Sequence, residues 1–391
     1  MAATTEPLRI RTITAGVELS DLQDLSALDR SLARLLRARG RAQEAGFEVQ
    51  TLRVATNPVV AHLDSSQRHA ALQVLEKLDA AATARGVMLS IGPISATDQF
   101  VEGLAAWASE LAQRTHAISY SLTVSSAERG IFRGAIRTAA QIISSLSSVD
   151  ASGIANFRFA AAASVSAGTP FFPVAYHEGT ESLALGVESA GLVQAAFSGA
   201  PNAEVAEQRL RDFLEVQLAP IEGLGLELAR EEHVRYLGID TSPAPGLDRS
   251  IGAGIEALAG APFGSAGTLQ ACAAVTAALK TLSVRMCGYA GLMLPVLEDP
   301  VLAMRACQHR YGIDELLLYS TVCGTGLDVI PIPGDVSLQS LERIIGDVAT
   351  LAVRLRKPLA ARLFPIPGKR AGDLVRFADE RLTECLVFHL D

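Results

Sequence analysis

The chain has 391 residues, of which 49% are hydrophobic, 5% aromatic and 19% charged. This composition is typical of a globular protein with a large apolar core, and it excludes an intrinsically disordered chain. A formal net charge of −8 argues against sequence-independent binding of nucleic acid, which needs a surface rich in lysine and arginine. We therefore expect the partner to be a small molecule and not a nucleic acid.

The mean hydropathy of +0.27 is high, which raises the question of a membrane span. The most apolar stretches are 267–284 and 315–333, but Lys280 interrupts the first, and Gly324 and Asp328 interrupt the second. Neither offers the roughly 18 uninterrupted apolar residues of a transmembrane helix.

No secretory signal is recognisable in Met1–Ala15, and the five cysteines lack CxxC spacing. We predict a cytoplasmic protein without membrane association, and its apolar excess favours a homo-oligomer.

Strand-like and helix-like segments alternate along the chain. Strands are predicted at Arg9–Thr14, Glu48–Ala55, Gly86–Ile91, Ile118–Val124, Asn156–Ala163, His233–Asp240, 289–296, 315–322, 359–364 and 385–390. Helical patterns separate most of them, and the basic run Arg34–Arg41 is expected to form the solvated face of one helix. This alternation predicts a mostly parallel sheet with right-handed crossovers. We expect a single domain over residues 1–391, with the helical stretch 183–230 as its seam.

Small and polar residues follow several predicted strands, at the carboxyl ends where α/β folds place their sites. Their coincidence at several strand ends favours a built site over ordinary turns. The candidate substrate-binding residues are Arg11, Asn57, Ser166, Glu178, Thr241, Ser242, Gly324, Thr325, Gly326 and Asp328. The glycines Gly252, Gly254 and Gly260 do not follow a strand directly, so they are not a dinucleotide fingerprint.

Three residues are candidates for catalysis. Cys323 follows an apolar run and precedes Gly324 and Gly326, whose exposed amides would favour a thiolate; the alternative is a small buried core residue. His177 stands in a loop beside acids and could transfer protons, or it could simply be a loop histidine with solvated neighbours. Asp240 ends an apolar strand and could be a base, an orienting carboxylate or a helix cap.

Four segments together resemble a known family. They are Ile10–Gly16, Thr169–His177, Leu237–Pro245 and Cys323–Pro333, and the last is the most specific. The chain is similar over residues 8–375 to the uncharacterised family called domain of unknown function 711, also termed uncharacterised protein family 0210. Where that family has Phe-His-Gly, this chain has Tyr176–Gly179 with an extra acid, which indicates a divergent member.

The resemblance implies a fold similar to pyruvate formate-lyase and the large subunit of ribonucleotide reductase. That fold is a ten-stranded α/β barrel of two five-stranded parallel halves, with outer helices and a loop threading the centre. The resemblance does not extend to the terminal radical loop, so a glycyl radical is not implied. The cofactor stays unknown, because nothing in the sequence indicates a nucleotide, pyridoxal phosphate or a radical.

The leading hypothesis is a small-molecule enzyme acting on a small polar or anionic metabolite. In it, Cys323 is nucleophile or acid/base, His177 is its proton-transfer partner and Asp240 orients. An alternative is a metal-assisted lyase or hydrolase using His177, Glu178 and Glu181, although no metal-ligand motif is recognisable. A third hypothesis is a non-catalytic, metabolite-binding regulatory protein.

Overall fold

A computed structural model describes residues 8–390, which form a ten-stranded, mainly parallel sheet with helices packed around it. In chain order, the strands β1 to β12 are Arg9–Val17, Val49–Thr56, Val87–Pro93, Ile118–Ser126, Gly130–Ile131, Phe159–Ala163, Ser182–Glu188, Arg235–Asp240, Gly326–Pro333, Leu359–Ile366, Leu374–Val375 and Cys385–Leu386. Residues 1–7, which belong to the stretch inspected for a signal, lie outside this range. The short strands β11 and β12 pair with each other, apart from the main sheet.

Eleven α-helices occur within residues 8–390. In chain order, α1 to α11 are Ser26–Glu44, Ser65–Thr83, Leu104–Arg114, Arg133–Ser147, Ala190–Phe197, Ala203–Glu231, Ile251–Ala259, Thr268–Lys280, Pro300–Cys307, Ile313–Tyr319 and Leu338–Leu355. Their apolar faces bury against the sheet: α11, for example, buries Leu341, Ile345 and Val348 at helical spacing. None of these helices is both long enough and apolar enough to cross a membrane.

The main sheet combines two sets of parallel strands that run in opposite directions. Its order is β8-β7-β1-β2-β3-β4-β6-β10-β9, and β5 pairs with β4. The five strands from β1 to β6 along this order are parallel, as are β7 with β8 and β9 with β10. The pairs β1–β7 and β6–β10 are antiparallel. The amino ends of the first set therefore lie beside the carboxyl ends of the second.

The edge strands β8 and β9 do not pair with each other in the described chain. Instead, the segment 285–295 lies against both edges through isolated parallel bridges, Ile239 with Met286 and Pro295 with Asp328. The hydrogen bond from the Ile239 amide to the Arg285 carbonyl measures 2.8 Å, and the one from Gly324 to Leu292 measures 2.7 Å. The strand predicted at 289–296 is thus an irregular segment and not a regular strand.

The five strands predicted before residue 165 are confirmed, whereas three later predictions are wrong in addition to the strand at 289–296. Most of the strand predicted at 315–322 lies in α10, because Glu315 caps the amide of Gly312 and the apolar residues follow helical spacing. The strand begins farther along the chain, as β9. The stretch from residue 183, predicted to be helical, begins as strand β7, because its backbone pairs with β1 and β8 and its side chains are buried on both faces of the sheet. Only Cys385–Leu386 of the predicted strand 385–390 is a strand.

The basic run on α1 pairs with acids and is not simply a solvated face. Arg34 is buried, and its Nη2 lies 2.6 Å from Oε2 of Glu181. Arg37 donates two hydrogen bonds to the carboxylate of Glu232. These contacts tie α1 to the end of α6 and to the residue preceding β7. Exposed pairs of this kind add little stability, but a buried arginine needs its acid.

The helices α7 and α9 share one buried cap, which predicts an unusually costly mutation. Asp299 accepts hydrogen bonds from the Ser250 hydroxyl at 2.7 Å, from Ile251 at 2.6 Å and from Val301 at 3.0 Å. We expect Asp299→Ala to lower the free energy of unfolding by about 2–4 kcal/mol, because donors at two helix starts lose their acceptor. Chemical denaturation measures this loss. The control is Asp64→Ala at the exposed cap of α2; equal losses in both variants would contradict the shared cap.

Candidate functional site

A cavity of about 420 Å³ is lined by strands from both parts of the sheet. Arg9 and Met88 line it from the starts of β1 and β3, whereas Glu188 and Asp240 line it from the ends of β7 and β8. The cavity therefore lies where the first set of strands begins and the second set ends. Its volume is in the usual range for sites that bind small molecules.

Arginines and acids line the cavity in equal number. The charged lining residues are Arg9, Arg11, Arg53, Arg362, Arg381, Glu188, Asp240, Asp248, Glu298 and Glu380. Phenylalanine, methionine and proline side chains fill much of the remaining wall. The result is a chamber that combines apolar wall with fixed charges of both signs, which is an arrangement that orients a charged ligand.

Most of the acids are already paired with arginines. Glu298 accepts from Arg362 at 2.9 Å and from Arg11 at 3.3 Å, so it links β10 to β1. Glu188 lies 3.2 Å from Arg9 and accepts a hydrogen bond from Gln50. These pairs neutralise one another, so neither acid offers a free charge to a ligand.

Arg53 differs from the other arginines of the cavity. Among the described residues no carboxylate forms an ion pair with it; its guanidinium stacks 4.9 Å from the centre of the Phe172 ring and reaches the Pro170 carbonyl at 3.4 Å. Its Nε has no hydrogen-bond partner in the described chain. Burial, with the neighbouring charge of Arg11, lowers the pKa of Arg53 to about 9. Arg53 is thus a cation on the cavity wall that lacks an anion.

The loop between β6 and β7, residues 164–181, brings apolar side chains into the interior, and we call it the central loop. Ser90 donates to its Ala175 carbonyl at 2.6 Å, and its His177 amide donates to the Thr56 carbonyl at 2.9 Å. Phe171 and Phe172 at its tip line the cavity. The loop that enters the interior is therefore the one between β6 and β7.

Asp240 holds the segment 285–295 in place. Its carboxylate accepts from the Ser242 hydroxyl at 2.6 Å and from the amides of Tyr289 and Ala290, both at 3.1 Å. Burial raises the pKa of Asp240, although these donors oppose the rise. Because its oxygens are occupied, Asp240 fits the orienting role better than that of a base, and it caps no helix, since Ser250 begins α7.

His177 lies at the other end of the strands. It packs on Gly16 at the end of β1; its Nδ1 is 3.2 Å from the Ser182 hydroxyl and its Nε2 is 2.9 Å from the Gly179 carbonyl. Burial lowers its pKa, so the imidazole is neutral at pH 7. Both ring nitrogens are engaged in hydrogen bonds within the protein.

The metal site suggested by His177, Glu178 and Glu181 does not form. Glu178 is exposed, and Glu181 pairs with Arg34. Within residues 8–390 no group of three ligating side chains comes together. The geometry therefore gives the metal-assisted alternative no support.

Cys323 is buried in the main hydrophobic cluster and does not line the cavity. Its amide donates to the Tyr319 carbonyl at 2.8 Å, and its own carbonyl accepts from the Lys357 ammonium at 2.6 Å. These two hydrogen bonds fix the short connection between α10 and β9. The prediction that Cys323 and His177 act together stays untested, but the two side chains do not share the cavity.

The remaining candidates are divided between several places. Only Arg11, Asp240 and Ser242 of the predicted site line the cavity. Thr325 and Asp328 line a small pocket beside it, Gly324 touches the backbone of Gly291, Gly326 begins β9, and Thr241 is buried beside Met286. Asn57 bonds Leu19 beyond the end of β2, and Ser166 and Glu178 are exposed. Since the two sets of strands run in opposite directions, their carboxyl ends do not form one mouth.

Four arginines of the cavity were not predicted from the sequence, namely Arg9, Arg53, Arg362 and Arg381. Arg53 and Arg362 stand inside strands that are otherwise mostly apolar, Val49–Thr56 and Leu359–Ile366. A charged residue in the interior of an apolar strand is rarely buried without a reason, and that signal could have found them.

Comparison with known proteins places the chain in a family. The protein-family model described as "Uncharacterised ACR (DUF711)" matches residues 2–379. The chain belongs to this family. A "UPF0210 protein" of Pyrobaculum arsenaticum is 33% identical, with 94% of this chain and 87% of that protein covered. One from Desulforudis audaxviator is 29% identical, covering 95% and 88%. One from Neisseria meningitidis serogroup C is 26% identical, covering 94% and 87%.

The burial of Cys323 predicts low reactivity. We expect iodoacetamide to alkylate Cys323 in the native protein at least about tenfold more slowly than Cys307, because Cys323 is 1% exposed and Cys307 is half-buried. Mass spectrometry of peptides from a labelling time course measures both rates. The unfolded protein, in which both thiols should react alike, is the control. Fastest labelling at Cys323 would instead favour its role as nucleophile.

Proposed function

We propose that this protein is a small-molecule enzyme whose substrate is a small organic anion bound in the arginine-lined cavity. The observation that carries the proposal is Arg53, a half-buried cation on the cavity wall that forms no ion pair with a described acid and whose buried Nε lacks a hydrogen-bond partner. Keeping such a charge without a partner is unfavourable for folding, so its presence calls for a functional reason. A carboxylate or phosphate group beside the guanidinium supplies the missing negative charge and hydrogen-bond acceptors.

The surroundings of Arg53 suit an anion. Phe172 covers one face of the guanidinium and shields it from water, which strengthens any charge pair formed there. Arg11, also on the wall, adds positive potential near the same position. The acids Glu298 and Glu188 are engaged by other arginines. Glu298 attracts Arg53 across the cavity, but neither acid forms an ion pair with it.

The cysteine–histidine chemistry predicted from the sequence is not part of this proposal, because neither side chain lines the cavity. A non-catalytic binding protein is the second candidate, and the same cavity would serve it. The two are separated by incubating the protein with its tightest-binding anion: a new product detected by mass spectrometry supports an enzyme, whereas unchanged ligand supports a binding protein.

We also infer that the sheet closes into a barrel of the pyruvate formate-lyase type. The inference is supported by the segment 285–295, which lies parallel to both edge strands through Met286 and Pro295. It would act as the fifth strand of the second half. Cytoplasmic location and homo-oligomerisation stay predictions that rest on composition alone.

Replacing Arg53 with an apolar residue tests the proposed function. We expect Arg53→Met to weaken binding of the best anion at least about tenfold, because a charge-assisted contact is lost. Without ligand, the same change should raise the free energy of unfolding by about 1–2 kcal/mol, since an unpaired, half-buried charge is removed. Calorimetric titration with inorganic phosphate and succinate, and chemical denaturation, measure the two effects.

The matched control is Arg137→Met. Arg137 also stacks on an aromatic ring, that of Phe100 at 4.7 Å, but it lies on the exposed side of α4. Its replacement should leave anion binding unchanged. Anion affinity that survives Arg53→Met would contradict the proposed site.

A further inference from the structure

Three buried polar atoms without partners belong to side chains that line one small pocket beside the cavity. The atoms are the Tyr289 hydroxyl, Thr325 Oγ1 and Asp328 Oδ2, and none has a hydrogen-bond partner among the described residues. Their side chains line one pocket of about 10 Å³, which we call the niche. The residues are 8%, 2% and 4% exposed, so bulk water does not satisfy them. Unpartnered buried groups are rare in folded proteins, and a convergent set indicates a binding site.

The niche is rigidly built. Asp328 is fixed by Arg362, whose Nε donates to its other oxygen, Oδ1, at 2.7 Å. Tyr289 is held through its amide by Asp240 and through its ring by Phe171, with 5.2 Å between ring centres. The Thr325 carbonyl accepts from the Ala360 amide at 2.8 Å. Each free oxygen therefore belongs to a residue that is already fixed by another contact.

The niche adjoins the cavity. Phe171 and Arg362 line both spaces. The ring of Phe172, the next residue along the central loop, stacks against the guanidinium of Arg53. Two consecutive residues of the central loop thus border the niche and the proposed anion site, which lie side by side.

We propose that the niche binds a hydroxyl group of the ligand, which makes the substrate a hydroxylated organic anion. The inference rests on the proposed function, since the anionic group is the one that Arg53 holds. The volume admits a single oxygen atom. A hydroxyl donates one hydrogen bond, here to Asp328, and accepts two, here from Tyr289 and Thr325, so it satisfies all three atoms at once.

Other polar groups fit the niche less well. A carbonyl or carboxylate oxygen has no proton to give to the Asp328 carboxylate. An ammonium group accepts nothing from the two hydroxyls and meets the charge of Arg362 beside it. A water molecule can bond to the same three atoms, but its second proton then finds no acceptor among them. Water is therefore the occupant that a ligand hydroxyl would displace.

The test compares anions that differ by one hydroxyl. The full chain is titrated calorimetrically with three pairs: malate and succinate, 3-hydroxybutyrate and butyrate, and 2-hydroxypropyl phosphate and propyl phosphate. We expect the hydroxylated member of at least one pair to bind about tenfold or more tightly than its deoxy counterpart, because a site built for a hydroxyl is left unsatisfied without one. The carboxylate and phosphate pairs show which anion Arg53 prefers.

Two variants each remove a single polar atom from the niche. Tyr289→Phe and Thr325→Val should reduce the hydroxyl preference to within about threefold while leaving the affinity of the deoxy anion unchanged. Neither should lower the free energy of unfolding of the ligand-free protein, because the oxygens removed have no partner in the protein. The control is Tyr236→Phe, which also removes a buried hydroxyl without a partner, but on β8 against Gly225 and outside the niche. It should leave the preference intact.

The outcomes separate the niche from the anion site. Anions that bind through Arg53 but show no hydroxyl preference, or a preference that survives Tyr289→Phe, overturn the niche and leave the proposed function standing. If none of the six anions binds, both are rejected. A crystal structure with the preferred anion bound, its hydroxyl outside the niche and a water inside, also overturns the inference.

Discussion

The antiparallel junction between β1 and β7 determines where charged side chains can meet. It sets Arg9 opposite Glu188 and Gly16 opposite Ser182. Because each set of strands is parallel within itself, every strand start on one side then lies beside a strand end on the other. The arginines of β1 and β2 consequently face the acids that end β7 and β8, and the carboxyl ends of the first set face away from the cavity.

Charge pairing within the cavity follows from that junction. Glu298 holds arginines from β1 and β10 together, and such a buried link is stable only while every partner is present. The pairing engages Glu188, Asp248 and Glu298 and leaves Arg53 without an ion-pair partner among the described residues. The ion pairs that stabilise the interior therefore also leave Arg53 as the one cavity arginine, among the described residues, without an acid partner. The same arrangement of charges thus serves both stability and binding.

The two irregular segments give the cavity its shape. The central loop brings Phe171 and Phe172 between the strands, and Asp240 fixes the segment 285–295 opposite them. Gly291 and Gly324 allow that segment to approach β9 with backbones in contact, since a Cβ at either would meet the other residue's Cα within 2.7 Å. Rigid irregular chain supported by regular strands is the usual way in which a site obtains precise geometry.

The sequence by itself determined the class of fold, the family and the first five strands, because hydrophobic period, turn residues and strand length are local properties of the chain. It also indicated Asp240, Ser242 and Arg11, which line the cavity. Only the tertiary structure decided that Cys323 lies in the core, that residues 313–319 are helical and that Arg53 has no acid. Strand direction at the junctions, and thus which strand ends meet, depends on pairings between distant residues that no local pattern encodes.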